Sequence, residues 1–280
     1  MSSVAVSPAA IRPRRSRLRR YTLRLVALGY LAGILIGPLA MVFWRTFENG
    51  TDAAWAAISS PESRNAFKLT LLITLVAVPL NTGFGIVAAL AIVRRRFPGK
   101  GLLNAFIDLP LALSPVVVGL ALFLLYGRDG WFGGWLERND VQVLFALPAM
   151  VLATVFVSLP FVAREVIPTL REIGDEQEQA ARTLGASSWQ SFWRVTLPAV
   201  RWAVIYGVVL TTARCLGEYG AVAVVSGRIQ GQTETATLRV EERYDSFDLA
   251  GAYAISLVLA AAAVLVLVAM ILIKPKEGHA

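Results

Sequence analysis

The sequence predicts an all-α membrane protein with six transmembrane helices, on three observations. Of 280 residues 56% are hydrophobic and only 16% charged, with a mean hydropathy of +0.61, whereas soluble domains carry about 25% charged residues. Six apolar segments reach or approach the roughly 20 residues that a helix needs to cross a bilayer core about 30 Å thick. The alternating ten-residue pattern of a membrane barrel is absent, which leaves helices as the way to satisfy every backbone polar group in lipid.

The first span, 25–44, follows a basic leader, 1–24, and ends on Phe43-Trp44-Arg45 with no small-residue cleavage site, so it reads as a retained helix. The others are 69–93, 102–126, 144–163, 199–225 and 249–273, with a short tail, 274–280. Pro79, Pro110, Pro115, Pro148 and Pro160 each remove a backbone donor and invite kinks, while Gly83, Gly85 and Gly119 permit close helix approach. The single cysteine, Cys215, lies inside the fifth segment, so no intramolecular disulfide is possible.

Charge orients the chain. Eighteen of the 27 Lys and Arg residues precede the first span, follow the sixth, lie between spans two and three or four and five, or, as Arg201, enter span five from that loop; eight lie on the other side, and Arg214 lies within span five. The positive-inside rule therefore puts both termini and the 164–198 loop in the cytoplasm. The net charge of +8 is a topology signal. No soluble basic face is present to suggest nucleic-acid binding, and the leader arginines read as an anchor on anionic membrane lipid.

The loop between spans four and five carries the most information. Asp175 can cap a helix beginning near Glu176, with Glu178 three residues on to complete a capping box. That helix runs through Gln179, Ala180, Ala181, Arg182 and Leu184 to Gly185, the residue type suited to a left-handed exit. Ser187 and Gln190 offer a second capping box, opening a helix on which Trp189, Phe192 and Trp193 share one face. Leu197-Pro198 closes the module near the first turn of span five. A second polar feature lies within span five, where Arg214 and Glu218 are four residues apart and can pair, with Tyr219 beside them. Intramembrane ions of this kind mark either a structural pair or a path or subunit interface. Asp108, about one turn into span three, is by charge a further candidate partner for Arg214, although its depth in the helix argues against direct contact.

Ala180-Ala181, Gly185, Val195 and Leu197-Pro198 resemble the EAA motif of the permease subunits of binding-protein-dependent ABC importers, with Gln179 where that family has its acidic residue and Glu178 next to it. The resemblance implies a type I importer permease (MetI-like) fold and a coupling surface for an ATPase made of Glu178, Gln179, Ala180, Ala181, Arg182, Leu184, Gly185, Ser187, Trp189, Leu197 and Pro198. The segment from Arg214 through Gly217-Glu218-Tyr219-Gly220, with Asp108-Leu109-Pro110 and Ser114-Pro115, is similar to permeases for tetrahedral oxyanions, above all the W-type subunit of the sulfate and thiosulfate importer. On the functional reading of these intramembrane ions, Arg214, Glu218, Tyr219 and Asp108 belong to the translocation path or a subunit interface. The implied partners are a homologous second permease, two ATPases and an external sulfate or thiosulfate-binding protein, at a bacterial inner membrane.

No catalytic or metal-ligating set is expected. The only Gly-Lys pair, Gly99-Lys100, has Arg94 where a P-loop needs its first glycine and Gly101 where it needs a hydroxyl, so ATP and Mg belong to the ATPase partner. Two alternatives remain at this level: a molybdate or tungstate permease of the same class, and a transporter driven by an ion gradient, which more often shows inverted repeats with paired broken helices.

Overall fold

The computed structural model describes residues 17–273; most of the basic leader and the tail with Lys274 and Lys276 lie outside the described residues. Helix α1 (Arg17–Phe47) leans on the last helix of the chain and on the short α2 (Thr51–Ser59). Ser60 caps α3 (Pro61–Arg94) by accepting from the Ser63 amide at 3.2 Å, and Pro61 occupies the first turn, where its missing N–H is harmless. At 34 residues α3 extends past both ends of the expected span.

The third apolar segment is not one rod. Helices α4 (Lys100–Ala112) and α5 (Pro115–Tyr126) meet at 111°. Pro115 disfavours helical backbone at the residue before it; Leu113 (ψ 141°) and Ser114 (ψ 137°) are extended, and Pro115 then opens a new helix. Beyond α6 (Gly133–Arg138), α7 (Leu147–Ser158) and α8 (Pro160–Ile173) form one jointed span of 27 residues, with Pro160 at the joint. The polar loop supplies α9 (Glu176–Thr183) and α10 (Ser188–Ser191).

Helix α10 does not stop where the sequence reading ends the module. It passes through a π turn (Phe192–Thr196) into α11 (Leu197–Leu216), so a 29-residue span begins at Ser188. The proline explains the π turn: Pro198 has no N–H to give and its ring crowds the carbonyl four residues back, and a wider turn, in which the Leu197 amide bonds Phe192 O, accommodates it. The expected fifth span also breaks, at Gly217-Glu218-Tyr219, before α12 (Gly220–Val225). Helices α13 (Ala236–Asp245) and α14 (Leu249–Ile273) follow. Among the described residues five helices are long and apolar enough to cross a bilayer, and the bent α4–α5 pair makes a sixth if counted as one.

The core has two centres. One, around Ile92, Ile107, Val166, Leu170 and Val200, joins α3, α4, α8 and α11 at the end carrying α9. The other, around Ile73, Val118, Met150, Val222 and Leu238, joins α3, α5, α7, α12 and α13. Within the first centre Val162 of α8 is held by two glycines. A Cβ at Gly85 of α3 meets Val162 Cβ at 2.7 Å, and one at Gly207 of α11 meets Val162 Cα at 2.8 Å. Gly83 faces open space, so it serves no close approach here. Gly207→Leu is therefore expected to separate α8 from α11, lowering stability by about 1–3 kcal/mol or more as overpacking does; a fall in melting temperature of the detergent-solubilised protein, with Gly83→Leu unaffected, checks it.

Candidate functional site

Glu178 is the anchor of the polar loop. It is only 7% exposed, and its carboxylate receives the Arg94 guanidinium: Nε lies 3.2 Å from both oxygens and Nη2 3.1 Å from Oε1. Thr196 Oγ1 donates to the same carboxylate at 2.9 Å. Arg94 also donates to Leu170 O (3.1 Å) and Gly174 O (2.6 Å), capping the free carbonyls at the end of α8. One guanidinium at the C-terminus of α3 thus fastens α8, α9 and the start of α11. Glu178 is spent on this latch, so it does not complete a capping box, and Asp175 caps α9 without a side-chain bond, contrary to the sequence expectation. Gln179, where an acid was expected, is exposed.

The turn after α9 is as expected. Gly185 has φ +88°, the Ala186 amide bonds Ala181 O at 3.0 Å and the Gly185 amide bonds Arg182 O at 2.9 Å, the paired pattern of a left-handed helix exit. Ser187 and Gln190 form the second capping box, at 3.2 Å and 2.9 Å. Trp189, Phe192 and Trp193 cluster with ring centroids 5.4–6.1 Å apart. The outward face combines Leu184 at 88% exposure, Trp189 at 69%, the small Ala180 and the Arg182 guanidinium, above an open groove lined by Ala181, Arg194 and Pro198. Protruding apolar side chains on small, closely approachable helices have the make-up of an interface core with a polar rim.

At the other polar feature Arg214 and Glu218 do pair, at 2.7 Å. The second carboxylate oxygen of Glu218 accepts from the Ala221 amide at 3.0 Å, and the Glu218 carbonyl accepts from Thr237 Oγ1 at 2.7 Å. The buried Glu218 therefore closes the helix break: it caps α12, ties α13 and neutralises Arg214, whose side chain keeps 30% exposure. Tyr219 donates to Glu241, which also pairs with Arg228 at 3.1 Å. Asp108 does not reach Arg214. It pairs instead with Arg164 of α8 at 2.7 Å, bracing α4 at the end of the molecule that carries Arg94 and Glu178.

Helix α13 is tied in the same way. The Ala236 amide bonds Thr70 Oγ1 of α3 at 2.9 Å, and the buried Arg239 meets Glu234 at 3.5 Å and Glu242 at 3.1 Å. Burial pushes the Glu234 carboxyl above its usual range, against the pull of Arg239.

Residues 81–276 match the family described as "Binding-protein-dependent transport system inner membrane component". The chain belongs to that family. Among curated relatives, it is 48% identical over 260 residues to the sulfate transport system permease protein CysW of Synechocystis, covering 93% of this chain and 94% of the relative. It is 43% identical over 266 residues to CysW of Escherichia coli K12 (91% and 89% covered), and 39% identical over 266 residues to CysT of the same strain (95% and 96% covered). A bacterial ABC transporter involved in import of the acidic polysaccharide alginate shares the fold, with a TM-score of 0.74 over 91% of this chain and 93% of that one at 16% identity.

The permease is thus an integral inner-membrane protein with the fold its polar loop implied. Three residues of its site escaped sequence reasoning. In the sequence Arg94 reads as a failed P-loop position and, with Arg164, as one of the charges that orient the chain, while Thr196 shows no local pattern that marks it as a partner of Glu178. The available signal for Arg94 was the run Arg94-Arg95-Arg96 at the end of a long span, but nothing local says which arginine turns inward.

Proposed function

We propose that this permease is the W-type subunit of an ATP-driven importer for sulfate and thiosulfate, with both termini and the α9–α10 module in the cytoplasm. The observation that carries the substrate is the 48% identity, along 93% of the chain, to a protein named as a sulfate transport permease. The excess of positive charge on the side of α9 supports the orientation. A CysT-like second permease, two ATPases and an external anion-binding protein complete the assembly; a solved relative of this fold was crystallised with a ligand-bound periplasmic protein.

In this account α9 and α10 receive the ATPase, with Ala180, Ala181, Leu184 and Trp189 at the contact and Gln179, Arg182 and Ser187 at its rim. Leu197 and Pro198 begin the spanning part of the lever. Closure of the ATPases displaces the module. The continuous helix from Ser188 to Leu216 and the Arg94 latch carry that displacement into α11, α3 and α8. Arg214, Glu218 and Tyr219 hold the break between α11 and α12 in shape, and Asp108 with Arg164 holds α4 to α8.

The test is reconstitution of the permease pair with ATPases and binding protein in vesicles. ATP-dependent accumulation of labelled sulfate, competed by thiosulfate and not by molybdate, is expected. Accumulation of molybdate in its place, or anion flux through this chain alone without ATP, overturns the reading.

A further inference from the structure

Where α3 ends against α9 and α10 the surface folds into a recess of about 290 Å³, with the latch on one side and Arg182 of the outward face on the other. Its polar lining comprises Arg94, Arg95, Arg182, Ser188, Ser191, Glu178 and Thr196. Glu178 is committed to Arg94 and Thr196. Arg95 and Arg182 have no carboxylate partner among the described residues, so the lining holds an excess of guanidinium over carboxylate.

A second observation points the same way. Ser191 is only 3% exposed; among the described residues its hydroxyl makes no hydrogen bond, and the little surface it keeps lines this recess. Planar guanidinium forks and hydroxyl donors, with the only carboxylate already engaged, select a small acceptor-rich anion. At about 30 Å³ per water, the recess has room for such an ion with part of its hydration.

We propose that this recess binds a tetrahedral oxyanion of the phosphate or sulfate class, either free or as a phospholipid headgroup. An occupant contacts Arg95 at the end of α3 and Arg182, Ser188 and Ser191 on the α9–α10 module, so it bridges the joint between them and favours the arrangement that keeps these groups together. The binding does not depend on which anion the importer carries.

The experiment uses the intact importer, purified in a nonionic detergent without its binding protein, and measures equilibrium binding of labelled inorganic phosphate together with the anionic lipid retained by the complex. Arg95→Gln combined with Ser191→Ala is expected to weaken phosphate binding, and competition by sulfate, by about tenfold or more, the effect of losing bonds to a charged group. Arg95→Lys restores part of it. If the occupant is a headgroup, the wild type retains anionic lipid that the double variant loses, and phosphate binds only after delipidation. Arg95 is exposed, so the variant is expected to assemble normally, which gel filtration of the complex checks. Phosphate and anionic-lipid binding that are both absent, or both the same in wild type and variant, overturn the proposal.

Discussion

Gly185→Val is expected to abolish sulfate uptake while the chain remains in the membrane at its normal level. Gly185 has φ +88°, and a Cβ placed there meets nothing within 4 Å, so the damage is to the backbone alone. Left-handed backbone costs an L residue about 1–2 kcal/mol, and a β-branched one more. The turn is held by two backbone bonds, at 3.0 Å and 2.9 Å, each contributing about 1 kcal/mol net. The strain therefore matches what holds the turn, and the turn reorganises, moving Leu184 and Ala181 relative to Trp189. Because Gly185 is exposed and belongs to neither core centre, insertion is expected to be untouched. Gly185→Asn, which tolerates left-handed backbone, is expected to keep most activity. Uptake and membrane abundance measured in the same cells decide it, and wild-type uptake by the valine variant removes the coupling role of the turn.

Arg94→Ala is expected to uncouple ATP hydrolysis from transport. It strips the partner from a buried carboxylate and the donor from Leu170 O and Gly174 O, a loss of about 3–5 kcal/mol when one half of a buried pair is removed. The α9 helix is then held to α3 and α8 by much less, so ATPase motion at the module is dissipated. Arg94→Ala should hydrolyse ATP without accumulating sulfate. Adding Glu178→Ala removes the orphaned charge, so the double variant is expected to be more stable than Arg94→Ala alone, although still uncoupled. Additive stability losses, or normal coupling in the single variant, exclude the latch.

Much of this was legible in the residues. Apolar runs of spanning length announce helices because lipid leaves the backbone no other partner. Gly185 and the Ser187–Gln190 box were readable because caps are local chemistry. What failed were inferences that need tertiary partners. Asp175-x-x-Glu178 has the spacing of a capping box, but Arg94, 84 residues from Glu178, outcompetes the helix's own amide for that carboxylate. Charge offered Arg214 to Asp108 and helix depth argued against it, but nothing in the sequence says that Arg164 lies beside Asp108 in space. The two broken spans were hidden for a different reason: hydropathy counts apolar residues and does not register that Ser114-Pro115 and Gly217-Glu218 interrupt them. Those breaks pack together, since a Cβ on Gly119 meets Ala221 O at 2.7 Å. Paired broken helices therefore occur in this ABC permease fold too, and do not by themselves mark an ion-driven carrier.

The claim on which the account rests is that the α9–α10 module takes force from an ATPase and hands it to α11. Cys215 is 3% exposed and the only cysteine, so a Leu184→Cys chain offers a thiol reagent one accessible site. Treated with a short bifunctional thiol-to-amine cross-linker in the assembled importer, it is expected to join the ATPase subunit and to stop ATP-driven sulfate uptake. An importer that still pumps while position 184 reacts only with lipid, solvent or its own chain contradicts the account.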